Sequence, residues 1–546
     1  MVKLHVLNVA LFIFINSCSG ELYSSVEQIR MLLKTQKSVI DSLVKYVNSE
    51  EKRLKIVKRY LNIFTTEHAK ASREVENYLA NPINAYTLIK RLSTDFDYLK
   101  MVASIATDYE FDSKLLYPTE KDTAGAALGI ARLQDTYKLN VTRLAGGKLN
   151  ARLGNKKHMS KTFSPMTASD CFNLALKLYK HEDYQIAVHW FIEALEKFSN
   201  EDRVVNPFSA ADIMSHIAKC YHYSKNESDA LAWVNKISQV NPREVDDDPI
   251  LRYYSQGVLD KEMLPEDNRH SKEVDSWRKI RVSASAWKMF AELCRSEIDV
   301  PTQIARKLHC FYLRRNAFLQ LAPIKTEQLL QKPDVFLFHD VLNQNEIDAI
   351  KKTVGHRLKR ALVYTNNEKI RTESRVSKSA WLDDIDHDVI ARMSQRIEDF
   401  TGMSTTHAEQ LQIANYGIGG QYNPHYDFDK TGKHHGDRGN RLATVLFYMS
   451  DVAYGGATVF TRLGLSVPPI KGSALFWTNL LSSGDGDNRT LHAACPVLYG
   501  NKWVANKWIH EAGQELTRPC PLVQETMPVQ FWKKNNQPKQ NAPRKS

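Results

Sequence analysis

Beyond its first twenty residues the 546-residue chain has no apolar run of the length a bilayer-spanning helix needs, about 20 residues. No membrane span is expected. Acid is in deficit: 62 Asp and Glu stand against 74 Lys and Arg, a formal charge of +12. Such an excess would suit nucleic acid, but the basic residues are scattered and no zinc-finger or RNA-binding signature accompanies them. Nucleic acid is therefore set aside as a partner. Cysteine is sparse, with seven in the chain.

What is present begins with MVKLHVLNVALFIFINSCSG, which carries an early lysine, an apolar run from Leu4 to Ile15 and small residues up to Gly20. This is the pattern of a cleavable secretory signal over residues 1–20, so an oxidising, secretory compartment is expected. Cys18 would leave with the signal. Of the six that remain, Cys294 and Cys310 bracket a short polar segment, and Cys495 and Cys520 bracket the last apolar strands; these two pairs are expected to be disulfides. Cys171 and Cys220 lie in helical patterns and read as buried thiols. Asn140, Asn226 and Asn488 open sequons that permit glycosylation.

The composition, 43% hydrophobic and 25% charged, is that of a globular protein with room for two to four domains. Over residues 21–142 the pattern is helical. Leu22, Val26, Ile29, Leu33, Ile40, Leu43, Val47, Leu54, Val57 and Leu61 follow a three-four spacing, interrupted at Gln36 and Glu50. That stripe fits either a helix packed on its own domain or a coiled coil between chains; roughly five heptads is long for the former. Residues 143–168, rich in Gly, Lys and Ser, read as a linker. Residues 169–262 then repeat a helical unit: Leu174, Ala175, Ala187, Phe191 and Ala194, followed by Ile217, Ala218, Tyr221, Ala230 and Pro242. Small residues at those offsets are what tetratricopeptide helix pairs use, so a TPR-like all-α domain is expected. Its tyrosines, Tyr179, Tyr184, Tyr221, Tyr223, Tyr253 and Tyr254, would suit a proline-rich extended peptide, or would serve in part as core. A connecting region (263–333) leads to residues 334–520, where short apolar runs such as DVFLFHDVL, ATVLFYM and SALFW suggest an all-β sandwich or barrel with flanking helices near 345–354 and 386–401. A polar tail (521–546) follows.

Chemistry concentrates in that last domain. The pair HxD occurs at His181/Asp183, His425/Asp427 and His435/Asp437. Only His425 and Asp427 lie where strands begin, and in a strand residues two apart share a face, so both can reach one ion. His492 is the candidate third ligand. Two histidines and a carboxylate on one face of an octahedron leave three positions open, the arrangement of non-haem Fe(II) oxygenases. Lys502, set among Trp503, Val504 and Trp508, is a cation able to meet the free carboxylate of a chelating keto acid, and His510 shares its strand face.

These residues, with ANYGIGGQY, LFYMSDVAYGGATVF and CPVLYGNKWVANKWIHE around them, closely resemble the alpha subunits of collagen prolyl 4-hydroxylases, and the order of regions does so along nearly the whole chain. The resemblance implies a multidomain α+β protein: a helical coiled-coil dimerisation region, a TPR-like peptide-binding domain and a C-terminal double-stranded β-helix, or jelly-roll. It implies Fe(II) held by His425, Asp427 and His492, 2-oxoglutarate held by Lys502 with Tyr416 lining its pocket, and His510 assisting the co-substrate. The implied reaction hydroxylates C4 of proline in X-Pro-Gly sequences of procollagen with O₂, turning 2-oxoglutarate into succinate and CO₂, with L-ascorbate restoring oxidised iron. The implied assembly is an alpha2beta2 tetramer with protein disulfide isomerase as beta subunit, in the endoplasmic reticulum lumen; such a partner would account for an ending, PRKS, that is no retention tetrapeptide. Two departures stand out: TGKHHGDRGN is shorter than family members have there, and Asn488 adds a sequon near the catalytic loop. A scaffold with a dead β domain and an oxygenase of other specificity are the rival readings.

Overall fold

A computed structural model describes residues 26–104, 119–153, 157–200, 208–256, 284–365, 368–370, 374–417, 419–430 and 436–518. The leader with Cys18, the histidine of the third HxD, Cys520 and the tail lie outside them. The chain divides into two compact units, Met1–Ala69 with Phe96–Ser113, and Lys70–Asp95 with Lys114–Ser546.

The first unit is dominated by α1 (Val26–Arg73), 48 residues without a glycine or proline to break it. Its heptad residues Ile40, Leu43, Val47, Leu54 and Leu61 are all about half exposed or more. Tyr60, which packs against Tyr98 at 6.0 Å, is by contrast buried.

In the second unit α2 (Pro82–Lys90) starts from Asn81, whose side chain accepts from the Ile83 and Asn84 amides. Next comes α3 (Glu120–Tyr137), opened by a Thr119–Asp122 capping box. Its central face is built of Ala126, Ala127, Gly129 and Ala131, which permits close approach. Gly419, at φ +54, comes so near that a Cβ there would stand 2.4 Å from the Gly129 carbonyl oxygen. Fully buried Arg132 donates from Nε to the Gly419 carbonyl at 3.2 Å, and the Tyr137 hydroxyl donates to that of Pro496 at 2.6 Å.

The stretch expected to be a bare linker instead contains an antiparallel hairpin, β1 (Lys148–Leu153) and β2 (Lys157–Thr162). Its glycines and lysines masked a two-residue alternation in which Leu149 and Ala151 point into the core. The repeated helices follow as α4 (Ala168–Lys180), α5 (Tyr184–Asn200), α6 (Ala210–Tyr223) and α7 (Glu227–Val240), then α8 (Pro249–Ser255). Ala175, Ala187, Ala194, Ala218 and Ala230, the small residues of the repeat, are all buried.

Then come α9 (Ala284–Cys294), β3 (Cys310–Leu313), β4 (Ile324–Gln331), β5 (Asp334–Phe338), α10 (Gln344–Val354), β6 (Lys359–Arg360), β7 (Lys378–Leu382) and α11 (Asp388–Thr401). The remaining strands used here are β8 (Leu411–Tyr416), β9 (Tyr422–His425), β10 (Arg441–Tyr448), β11 (Thr458–Phe460), β12 (Leu465–Val467), β13 (Ala474–Thr478), β14 (His492–Ala494) and β15 (Lys502–His510). They form a nine-stranded sheet, β3-β4-β5-β13-β10-β15-β8-β7-β6, and a four-stranded sheet, β9-β14-β11-β12. The large sheet thus starts at Cys310, inside the expected connecting region. Alternate residues of its strands serve two cores. Ile413, Val445, Phe447, Phe476 and Ile509 pack on α10 and α11, whereas Tyr416, Leu446, Tyr448, Trp477 and Val504 meet Phe460, Leu465 and Ala494 of the smaller sheet. This two-sheet jelly-roll leaves the site between its sheets.

The disulfide pattern differs from the expected one. Cys294 is bonded to Cys495, which replaces the expected Cys294–Cys310 and Cys495–Cys520 pairs; Cys310 is a free, exposed thiol. The reason is the docking of α9 on the smaller sheet, where Ser466 of β12 also donates to the Leu293 carbonyl at 3.3 Å, while Cys310 begins the edge strand β3 of the other sheet. Cys171 and Cys220 are buried free thiols. Asn140, Asn226 and Asn488 are exposed.

A candidate metal centre between the two sheets

His425 ends β9 and His492 begins β14, and the two residues face each other in antiparallel register. Residues 67 apart in sequence are thereby brought to ring centroids 4.3 Å apart. Asp427, just past β9, places Oδ1 3.6 Å from His425 Nε2 and 3.7 Å from His492 Nε2. One ligand atom from each residue fits within a span of 4.8 Å, and this is the metal-ligating cluster found among the described residues.

The protonation of the trio suits a cation. His425 Nδ1 lies 2.7 Å from the Asn423 carbonyl and His492 Nδ1 3.0 Å from that of Thr490. A carbonyl only accepts, so each Nδ1 carries the proton and each Nε2 turns its lone pair inward. Burial, with His492 adding to it, lowers His425 to about 3, which keeps the ring neutral. For Asp427 burial works upward, but His492, His425, Arg441 and the Thr444 hydroxyl outweigh it and hold the carboxyl at about 2, ionised. Two imidazoles and one carboxylate fit the donor set of a non-haem ferrous site.

Lys502 reaches the same cavity from β15. It is 1% exposed and makes no ion pair among the described residues; its ammonium stands 5.1 Å from the Tyr416 ring centroid. Desolvation alone lowers it to about 7. A buried cation of this kind is costly until a carboxylate arrives. Tyr416, raised to about 12 by burial, lines the cavity too.

His510 is not brought into that lining. It shares a strand face with Lys502, but eight residues of strand advance about 26 Å, which carries it past the cavity. There its Nδ1 meets the Gly439 carbonyl at 2.8 Å and its Nε2 meets Glu409 Oε1 at 3.2 Å. His181 and Asp183 sit at the turn between α4 and α5, away from the trio.

Trp508 and Val504, named around Lys502 in the sequence, line the cavity, whereas sequence reasoning missed Arg375, Tyr422, Leu446, Thr458 and Trp477. Tyr422 stacks on His425, Arg375 stands over Tyr422 at 4.8 Å, and Thr458 accepts from the Tyr448 hydroxyl at 2.8 Å. Tyr422, Leu446, Thr458 and Trp477 stand inside stretches that the sequence singled out, but nothing there assigned them to the cavity wall.

Of the six tyrosines, Tyr179, Tyr184 and Tyr223 form one ring cluster, with Tyr184 stacked on Tyr223 at 4.9 Å. Tyr253 and Tyr254 pack edge to face at 5.2 Å, and Tyr254 meets His222. Tyr221 packs into the helical core.

Comparison with known proteins follows this division. Family models match residues 25–151 (prolyl 4-hydroxylase alpha-subunit, N-terminal region), 168–261 (prolyl 4-hydroxylase peptide-substrate-binding domain) and 411–510 (2OG-Fe(II) oxygenase superfamily). The prolyl 4-hydroxylase subunit alpha-2 of Caenorhabditis elegans is 38% identical, over 93% of this chain and 94% of that one. The chain belongs to the prolyl 4-hydroxylase alpha-subunit family. The human subunit alpha-1 is 36% identical over 92% of this chain and 95% of its own. A solved viral collagen prolyl hydroxylase from Paramecium bursaria Chlorella virus 1, a 2-oxoglutarate complex, is 26% identical, covers 32% of this chain and 95% of its own, and has a TM-score of 0.27. As a member of this family the protein is an Fe(II)- and 2-oxoglutarate-dependent dioxygenase with a domain for peptide substrates.

Proposed function

We propose that the protein is a procollagen-proline 4-dioxygenase alpha subunit, hydroxylating C4 of proline in X-Pro-Gly sequences. The observation that carries this reading is the convergence of His425, Asp427 and His492 beside a buried lysine, Lys502, that makes no ion pair among the described residues. When bound, ferrous iron supplies the point at which 2-oxoglutarate and O₂ meet and the proline is oxidised, 2-oxoglutarate leaving as succinate and CO₂. The chain's own share is geometric. Two Nε2 atoms and Asp427 Oδ1 face the centre, Lys502 takes the distal carboxylate of 2-oxoglutarate with the Tyr416 ring beside its ammonium, and Leu446, Trp477 and Val504 exclude water. His510 acts from outside the cavity, holding Glu409 near Arg441.

The helical domain is assigned to the proline-rich chain, with the cluster of Tyr179, Tyr184 and Tyr223 as its first contact and Tyr253, Tyr254 and Tyr221 beside it. Flat apolar rings suit a polyproline II ligand. Holding a repetitive substrate there raises its concentration at the site. The exposed stripe of α1 supports alpha–alpha association as a coiled coil in an alpha2beta2 tetramer with protein disulfide isomerase. The N-terminal signal, the disulfide and the three exposed sequons support the endoplasmic reticulum lumen as location and N-glycosylation as a modification. L-ascorbate is assigned as the reductant that restores oxidised iron.

The test is 2-oxoglutarate decarboxylation by the chain co-expressed with the isomerase, with and without a Pro-Pro-Gly peptide, followed by product analysis. Peptide-stimulated turnover yielding 4-hydroxyproline is expected, and His492→Ala should abolish it without unfolding the protein. No stimulation by the peptide would move the reading to another substrate.

A further inference from the structure

The two oxygens of Asp427 have different surroundings. Oδ1 faces both Nε2 atoms, whereas Oδ2 accepts a hydrogen bond from Thr444 Oγ1 at 2.7 Å. Thr444 Oγ1 in turn is 2.9 Å from Asn479 Nδ2. The direction of this chain is forced. An ionised carboxylate only accepts, so the one hydroxyl proton of Thr444 points at Asp427, and its lone pairs are left for an amide donor.

The fold holds both relay residues firmly. Thr444 sits within β10 on the strand register with β13, and Asn479 follows β13 directly, its amide donating to the Leu442 carbonyl at 2.8 Å and its carbonyl accepting from the Asp487 amide at 2.8 Å. Both are buried, at 1% and 0% exposure. Asn479 Oδ1 finds no partner among the described residues. A buried acceptor left unpaired is destabilising and calls for a reason. An apolar side chain would fill the same space without that defect, but could not donate to Thr444.

We propose that Thr444 and Asn479 are positioning residues that hold Asp427 as a one-oxygen ligand, keeping Oδ2 turned away from the centre. A carboxylate can grip a cation with one oxygen or with two. Two imidazoles and one oxygen leave three of six positions open, two for a chelating keto acid and one for O₂. A two-oxygen grip leaves two, and the keto acid alone fills them. The relay therefore protects the open position. This inference rests on the metal reading above, and it extends that reading to residues that touch neither ion nor substrate.

The test uses Co(II) as a spectroscopic probe of the purified complex, kept free of oxygen. Thr444→Val should weaken Co(II) binding roughly tenfold or more and change the visible absorption band, while Thr444→Ser should stay within about twofold of the unaltered protein. Val binding as tightly as the unaltered protein with the same spectrum, or Ser failing as badly as Val, would overturn the proposal. Should Thr444→Val not fold, Asn479→Leu takes its place, with an expected loss of roughly threefold or more and a changed band; no change in either would be equally fatal. Failure of the unaltered protein to bind Co(II) at all would sink the metal reading instead.

Discussion

Tyr422 lies flat on His425, with ring centroids 3.6 Å apart and planes 21° from parallel. The stack holds one face of the imidazole against a wall while the Asn423 carbonyl holds Nδ1, so the ring has one orientation left and Nε2 faces the centre. Stacking needs a ring and not a hydroxyl. Tyr422→Leu should therefore lower kcat/KM about tenfold, a change of about 1.4 kcal/mol in the barrier, while Tyr422→Phe should stay close to the unaltered enzyme. Decarboxylation assays decide it. Equal losses in both variants would mean that the hydroxyl matters more than the stack.

Lys502 gives the co-substrate affinity a pH dependence. Desolvation puts its free-state value at about 7, and the charged form is the one that pairs with a carboxylate. Binding above that pH must take up a proton, so affinity falls as pH rises. Between pH 7 and 8 the 2-oxoglutarate Kd should rise about fivefold, by the linkage between protonation and binding. Lys502→Ala should flatten this slope and raise the 2-oxoglutarate KM far more than the peptide KM. A slope that survives the substitution would assign it to another group.

The Cys294–Cys495 bond spans 201 residues of sequence. Closing so long a loop restricts the unfolded chain strongly, and removing the bond by paired Cys→Ser changes should reduce stability by about 2–5 kcal/mol, read by denaturant unfolding. Mass spectrometry of a non-reduced digest should recover a peptide linking residues 294 and 495. A peptide linking 294 to 310 would contradict the pairing.

Removal of residues 21–70 should leave a monomeric alpha subunit in light scattering if the exposed stripe of α1 joins two chains. A dimer that survives would place the association elsewhere.

The ligand trio was legible in outline: the HxD spacing put residues 425 and 427 within reach of one ion, although Asp427 falls just past the end of β9, and a third histidine ahead of a lysine-bearing strand completes the set. For His510 strand parity gives only the face; the residue lies eight positions further along the strand than Lys502, against Gly439 and Glu409. The roles of Thr444, Asn479, Arg375 and Tyr422 were not legible, because their types are ordinary and only the folded register brings them to Asp427 and His425. The disulfide was hidden for a related reason: cysteines near each other in sequence invited pairing, while the docking of α9 across the smaller sheet decided it. The helical repeat was readable from its alanines; the hairpin behind it was not, because polar residues dominate its exposed edge.

The glycine-to-glycine seam between α3 and the loop after β8 has an architectural outcome. An element encoded far ahead of the oxygenase strands is clamped to them by Arg132 and Tyr137. A recombinant fragment starting at the first strand of the large sheet would strip away that brace and lay bare the backbone it covers. The chain is consequently less a string of interchangeable modules than an enzyme whose scaffold is threaded back through its own reactive half.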